Sequence, residues 1–291
     1  MQTSKIYFSL PENLILEFSS DTAELDKNTK RILCAYVPGI EELERKPDKV
    51  DIIFQHKKAA TFKLEHGANK ITLWGPWNGE LIADIHHLLY AIVRINLLER
   101  NLYSVHGACV GKDGKCVLIL EHSGSGKTTV ALKLAKDYDM HVLSGNKTTI
   151  SFNDAKMKVV AGTTAMSIRS QDQKIIGIDD GLNYKNRYIF ELNQKEVNLP
   201  CEVRAIAVVR LNDYAHESTK LKMPDVLHVL YPYFLDVVNS DVIIGDRVFP
   251  GTPPEGLQDK LVSGLKRSLV NIPIYSFIGS GSFVAENISK L

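Results

Sequence analysis

The chain has 291 residues, of which 44% are hydrophobic and 24% charged, with a formal net charge of +1. That length suffices for one large domain or two smaller ones around a real hydrophobic core, and the composition is ordinary for a globular protein. A charge so close to neutral gives no global attraction to nucleic acid or to an anionic membrane, so neither is an expected partner. The N-terminal MQTSKIYF lacks the charged head and long apolar core of a secretory signal, and no window approaches the roughly 20 apolar residues of a membrane helix. The four cysteines, Cys34, Cys109, Cys116 and Cys201, show no C-x-x-C spacing, so neither a zinc site nor a redox pair is expected. Cys109 and Cys116 read as buried free thiols, and the expected location is cytoplasmic.

Residues 1–78 are expected to form a small, mostly-β lobe. Its strand-like runs are KIYFSL, LILEF, RILCAYV, DIIF, ATFKL and KITLW, separated by turn signals such as PEN and EHGAN. At residue 79 the period changes and a second unit, 79–291, begins. Leu81, Ile85, Leu88, Leu89, Ile92 and Ile95 recur at helical spacing and predict an amphipathic helix over 79–99. His86 and His87 are adjacent on it and face different directions, which favours surface or core histidines over a metal pair. YSVHGACV then reads as a strand, Asp113-Gly114 as a hairpin turn and CVLIL as the return strand. TTVALKLAK reads as a helix and MHVLS as a short strand. Further strands follow at TISF, MKVVA, RYIFEL and AIAVVRL, then a helix over 255–270 and a last strand at IPIYSF.

Residues 121–129, EHSGSGKTT, sit between the CVLIL strand and the helix that begins near Thr128. This is the context of a phosphate-binding loop, G-x-x-x-x-G-K-[ST]. Ser123, Gly124, Ser125 and Gly126 would offer backbone N–H groups at the positive end of the helix. Lys127 would reach the β- and γ-phosphates, Thr128 would supply a hydroxyl to magnesium, and Thr129 would follow it into the helix. Glu121 stands where the motif has its first glycine. A carboxylate near phosphate oxygens is repulsive unless it points away or meets a cation, so Glu121 is expected to face outward.

The stretch SVHGACV, the turn, KCVLILEHSGSGKTTVALKLAK and then HVLS resembles the catalytic domain of the HPr kinase/phosphorylase family. The resemblance is specific over roughly residues 80–150 and weaker through AIAVVRL and IPIYSF. It implies an α/β (α+β) fold similar to phosphoenolpyruvate carboxykinase, with ATP and Mg2+ as cofactors. It further implies His106 beside the phosphates, Gly124, Gly126, Lys127 and Thr128 in the nucleotide loop, and a homo-oligomer. The family carries two aspartates after the VLS strand, and here Gly145 and Asn146 occupy those positions. Asn146 can ligate a metal through its amide oxygen but is no general base. Phosphoryl transfer rests largely on positioning and electrostatics, so losing a base slows it without abolishing it.

Substitute groups are sought at Asp179 and Asp180 in GIDDGLNY, at Asp246 and Arg247 in IIGDRVFP, and at Arg204 and Arg210 around the apolar run 205–209. Each also fits an ordinary turn or strand end. The expected activity is transfer of the γ-phosphoryl group of ATP to a hydroxyl of a protein, peptide or small molecule, with His106, Lys127 and Asn146 in the catalytic set. The alternatives are a nucleotide-binding regulatory module without transfer, and a nucleotide hydrolase on the same scaffold.

Overall fold

A computed structural model of the chain describes residues 4–21, 27–67, 69–75, 81–122, 124–153, 155–170, 180–184, 186–192, 199–222, 225–239, 242–244, 247–249 and 255–291. Its first sheet has six strands: β1 (Ser4–Leu10), β2 (Leu14–Ser20), β3 (Glu41–Leu43), β4 (Ile52–Lys58), β5 (Lys63–His66) and β6 (Lys70–Gly75). They lie in the order β3-β1-β2-β4-β6-β5, with β2–β4 and β4–β6 parallel. Leu14, Leu16, Phe18 and Phe54 are buried between this sheet and the helix α2 (Leu81–Glu99), which contributes Ile85, Leu88, Leu89 and Ile92 to the same core. The helix stands where its period predicts it. His86 is buried and stacked on Tyr36 at 3.9 Å, while His87 is exposed.

One expected strand of this region is a helix. RILCAYV lies in α1 (Lys27–Tyr36) and the residue after it. Leu33 and Val37 enter the core of the first sheet, whereas Ile32 and Ala35 pack against Ala165 and Ile189. Serving two cores from residues one and three apart is helical geometry. A short apolar run does not distinguish a buried strand from a buried helix, so tertiary packing decides.

The second sheet has nine strands. Its path runs β10 (His141–Ser144), β8 (Gly107–Lys112), β9 (Lys115–Leu120), β16 (Cys201–Leu211), β12 (Lys156–Gly162), β11 (Thr148–Asn153) and β7 (Leu102–Val105). β20 (Ile274–Gly279) runs parallel to residues 206–211 of β16, and β17 (Glu217–Lys220) pairs with β20. β9 and β16 are parallel neighbours with apolar side chains buried on both faces, the signature of a strand pair covered on two sides. One face is covered by α3 (Lys127–Tyr138) and α6 (Gly281–Ser289) through Val130, Leu134, Val284 and Ile288. The other is covered by α4 (Asp225–Asn239) and α5 (Leu257–Leu269) through Leu230, Phe234, Leu261 and Leu265. A third, antiparallel sheet holds β13 (Ala165–Arg169), β15 (Arg187–Glu191) and β14 (Leu182–Tyr184) in that order. A short pair, β18 (Val242–Ile244) and β19 (Arg247–Phe249), completes the described strands. The architecture is mixed α/β of the α+β kind, with six helices among the described residues.

Two expectations change and two helices are new. YSVHGACV is not one strand: it breaks at His106 into β7, which pairs with β11, and β8, which pairs with β9 and β10. The last described element is α6, capped by the Ser280 hydroxyl accepting from the Phe283 N–H at 3.3 Å, rather than the strand IPIYSF. α4 contains Pro232, which reads as a helix breaker in sequence. The Asp113-Gly114 turn has both residues at positive φ, 53° and 75°, as a two-residue hairpin of this type requires. Cys109 and Cys116 are buried free thiols, and no described helix is long and apolar enough to cross a membrane.

Candidate functional site

The site begins where β9 ends. Backbone torsions at Gly124 (φ 88°) and Gly126 (φ 102°) turn the chain into α3, and Gly126 is its N-cap. A Cβ at Gly126 would stand 2.3 Å from Leu211, at the end of β16, so both torsion and space demand glycine here. The Leu211 N–H donates to the Ser125 carbonyl at 2.9 Å and fixes the loop to β16. Ser123 lies outside the described residues. Thr128 is half-buried and Thr129 exposed, both at the mouth of a cleft of about 250 Å³.

Lys127 is buried at the base of that cleft. Its ammonium donates to the carbonyl of Glu121 at 2.6 Å and to that of His122 at 2.9 Å. Burial lowers its pKa to about 8, against a smaller opposing pull from Glu121. The loop therefore folds around its own lysine.

Glu121 does not face outward. It is 8% exposed, and its carboxylate accepts a hydrogen bond from the Tyr233 hydroxyl on α4 at 2.8 Å. Its φ of 154° lies in the region that favours glycine. Such a torsion costs on the order of 1–3 kcal/mol and persists only where the surroundings impose it. Tyr233 supplies the constraint: burial, then its bond to Glu121, raises its pKa and keeps it a donor. Tyr233→Phe would leave a buried carboxylate without that donor. We expect it to lower stability by roughly 1.5–3 kcal/mol in denaturant unfolding; an unchanged midpoint would mean that the latch does not hold the loop.

Across the cleft, His106 occupies the break between β7 and β8. Its ring is exposed to the cleft, so the desolvation that lowers its pKa acts only in part, and the charges of Lys127 and Lys147 lower it further from the ordinary 6.5. The imidazole is therefore neutral at physiological pH. Asn146 beside it acts in the opposite direction and favours the protonated ring, and Asn146 Nδ2 donates to the Ala35 carbonyl of α1 at 3.5 Å. Two hydroxyls hold the turn carrying Asn146: Thr163 Oγ1 accepts from the N–H groups of Gly145 (3.2 Å), Asn146 (3.0 Å) and Lys147 (3.4 Å), and Ser144 Oγ donates to the Lys147 carbonyl at 2.7 Å. At Gly145 an added Cβ would stand 2.4 Å from Met166 Cγ and 3.2 Å from the Ala165 carbonyl oxygen.

His106, Lys127 and Asn146 thus line one cleft with Gly124, Gly126 and Thr128. The other candidates lie elsewhere. Asp180 is exposed and pairs with Arg31 at 3.6 Å, and Asp179 and Asp246 fall outside the described residues. Arg247 opens β19. Arg204 lies beside Cys116 and Cys201, near the start of β16, and Arg210 is exposed near Tyr233. The arginines that do reach the cleft are Arg169 and Arg187, which the sequence does not mark.

The donor set bears on the expected magnesium. Among the described residues no three His, Cys, Asp or Glu side chains converge as a metal site, and none of the described residues lining the cleft is acidic. The protein offers the Thr128 hydroxyl and the Asn146 side chain, whose Nδ2 donates to the Ala35 carbonyl. Magnesium would fit only as the partner of a bound polyphosphate, with Thr128 completing its shell. Comparison with protein-family models finds no match, and comparison with curated proteins finds no significant match.

Proposed function

We propose that the protein is an ATP-dependent kinase of HPr kinase-like type, transferring the γ-phosphoryl group to a hydroxyl acceptor. The observation that carries this reading is the convergence in one cleft of the loop at the start of α3, Lys127, Thr128 and His106. A parallel β9–β16–β20 core with the hairpin strand β8 beside the loop strand supports an HPr kinase/phosphoenolpyruvate carboxykinase-like arrangement of this half of the chain. In this reading the loop N–H groups and Lys127 bind the phosphates. Magnesium would neutralise phosphate charge when bound. His106, neutral in the free protein, accepts the hydroxyl proton once phosphate charge beside it makes the imidazole more basic.

A second reading, nucleotide binding without transfer, is favoured by Gly145, where an acidic side chain has no room. Titration with ATP and magnesium, followed by measurement of ADP release with candidate hydroxyl acceptors, tests both. Magnesium-dependent binding with ADP release supports the kinase. Binding without release from any acceptor supports the second reading, and absence of binding sinks both.

The lysine makes a further prediction. Lys127 has a folded pKa of about 8, below the ordinary lysine value of 10.5. Between those values the folded chain holds fewer protons than the unfolded chain, so the penalty of burying this charge fades as pH rises through that window. Phosphate favours the charged amine. ATP affinity should therefore fall as pH rises above about 8, and binding there should take up a proton, measurable by calorimetry in buffers of different ionisation enthalpy. Affinity that is flat from pH 7 to 10 would exclude a phosphate contact from Lys127.

A further inference from the structure

Arg169 ends β13 and Arg187 opens β15, and the antiparallel register sets them directly opposite each other. Directly opposed residues project from the same face with their Cβ atoms about 5 Å apart, and like charges so placed are destabilising. Both arginines nevertheless line the cleft. Arg169 Nη2 lies 3.2 Å from the point a Cβ on Gly124 would occupy, so it reaches over the phosphate loop. Glu191, the acid described on these strands, lies opposite Ala165 at the other end of the pair and bonds to Arg31 at 3.1 Å. Among the described residues no carboxylate pairs with Arg169 or Arg187. Two guanidinium groups on one face of the β13–β15 pair, lining the same cleft as Lys127 and the loop glycines, fit a planar or tetrahedral oxyanion.

We propose that Arg169 and Arg187 form an oxyanion subsite, separate from the loop itself, that takes a phosphate-type group. The proposal rests on the kinase reading for its setting. That group has two sources: the terminal phosphate of the nucleotide, or an anionic group carried by the acceptor.

Calorimetry on the full chain separates them, with magnesium ATP, magnesium ADP and inorganic phosphate as probes. The wild type is compared with Arg169→Gln, Arg187→Gln, the double variant, and the Arg→Lys variants that keep the charge and lose the fork. If the terminal phosphate is the source, the wild type binds ATP at least roughly tenfold more tightly than ADP, and the double variant brings that ratio near one. If the acceptor is the source, the ratio is unchanged, and ADP-loaded wild type takes up a phosphate that the double variant does not. A double variant that keeps both the wild-type ratio and the wild-type phosphate uptake overturns the subsite, and so does a wild type that shows neither. Phosphate is also titrated without nucleotide. Arginine-dependent phosphate binding by a chain that binds no nucleotide would sink the kinase reading and leave the subsite standing.

Discussion

Lys127→Ala should abolish ADP release and weaken ATP binding by at least roughly a hundredfold. Hydrogen bonds to a charged group contribute roughly 1.5–3 kcal/mol each, and two factors of ten correspond to about 2.8 kcal/mol, so losing two contacts to phosphate suffices. The effect on folding should be far smaller. The alanine leaves the carbonyls of Glu121 and His122 without their ammonium partner, but it also removes a cation whose lowered pKa records an unfavourable burial. These two terms oppose each other. A melting temperature close to that of the wild type, with ATP binding gone, would assign the lysine to the ligand. Binding that survives the substitution would reduce the loop to a structural turn and remove the basis of the kinase reading.

The parts of the site that are contiguous in sequence are the parts the sequence reveals. The strand, the glycine turn and α3 occupy residues 115–138 and are fixed by local periodicity and by torsions that only glycine adopts freely. His106 enters the candidate set through the family resemblance, and the strand break it marks has no signal in the sequence. The remainder depends on distant pairings. The partner of Glu121 is Tyr233, 112 residues later on a helix that Pro232 disguises. Without that partner a carboxylate at the head of a phosphate loop is expected to turn to solvent. Arg169 and Arg187 each end or begin an ordinary strand, and only the antiparallel register joins them. α1 failed as a strand for the same reason: its apolar run serves two cores at once, and neither is local.

Gly145→Asp, which places an acidic side chain at the first of the two positions where the resemblance to HPr kinases would have one, should destabilise the protein and leave it no more active. The substitution looks like a repair in sequence, because Gly145 stands where an aspartate would supply a base or a metal ligand. The backbone around it has closed over that space. The new Cβ would meet Met166 Cγ at 2.4 Å and the Ala165 carbonyl at 3.2 Å, on a turn that Thr163 Oγ1 already pins through three N–H groups. Overpacking a well-filled site costs about 1–3 kcal/mol. At roughly 2–4 °C per kcal/mol, that corresponds to a fall in melting temperature of roughly 2–12 °C. Asn146→Asp is the informative companion. Asn146 is only half-buried and lines the cleft, so a carboxylate there has solvent and the positive charge of Lys147 beside it. It should fold like the wild type, and if the chain is a kinase slowed by a missing acid, it should release ADP faster. A Gly145→Asp protein that melts with the wild type would show that β13 yields easily, and the closure of this position would then explain nothing about its chemistry.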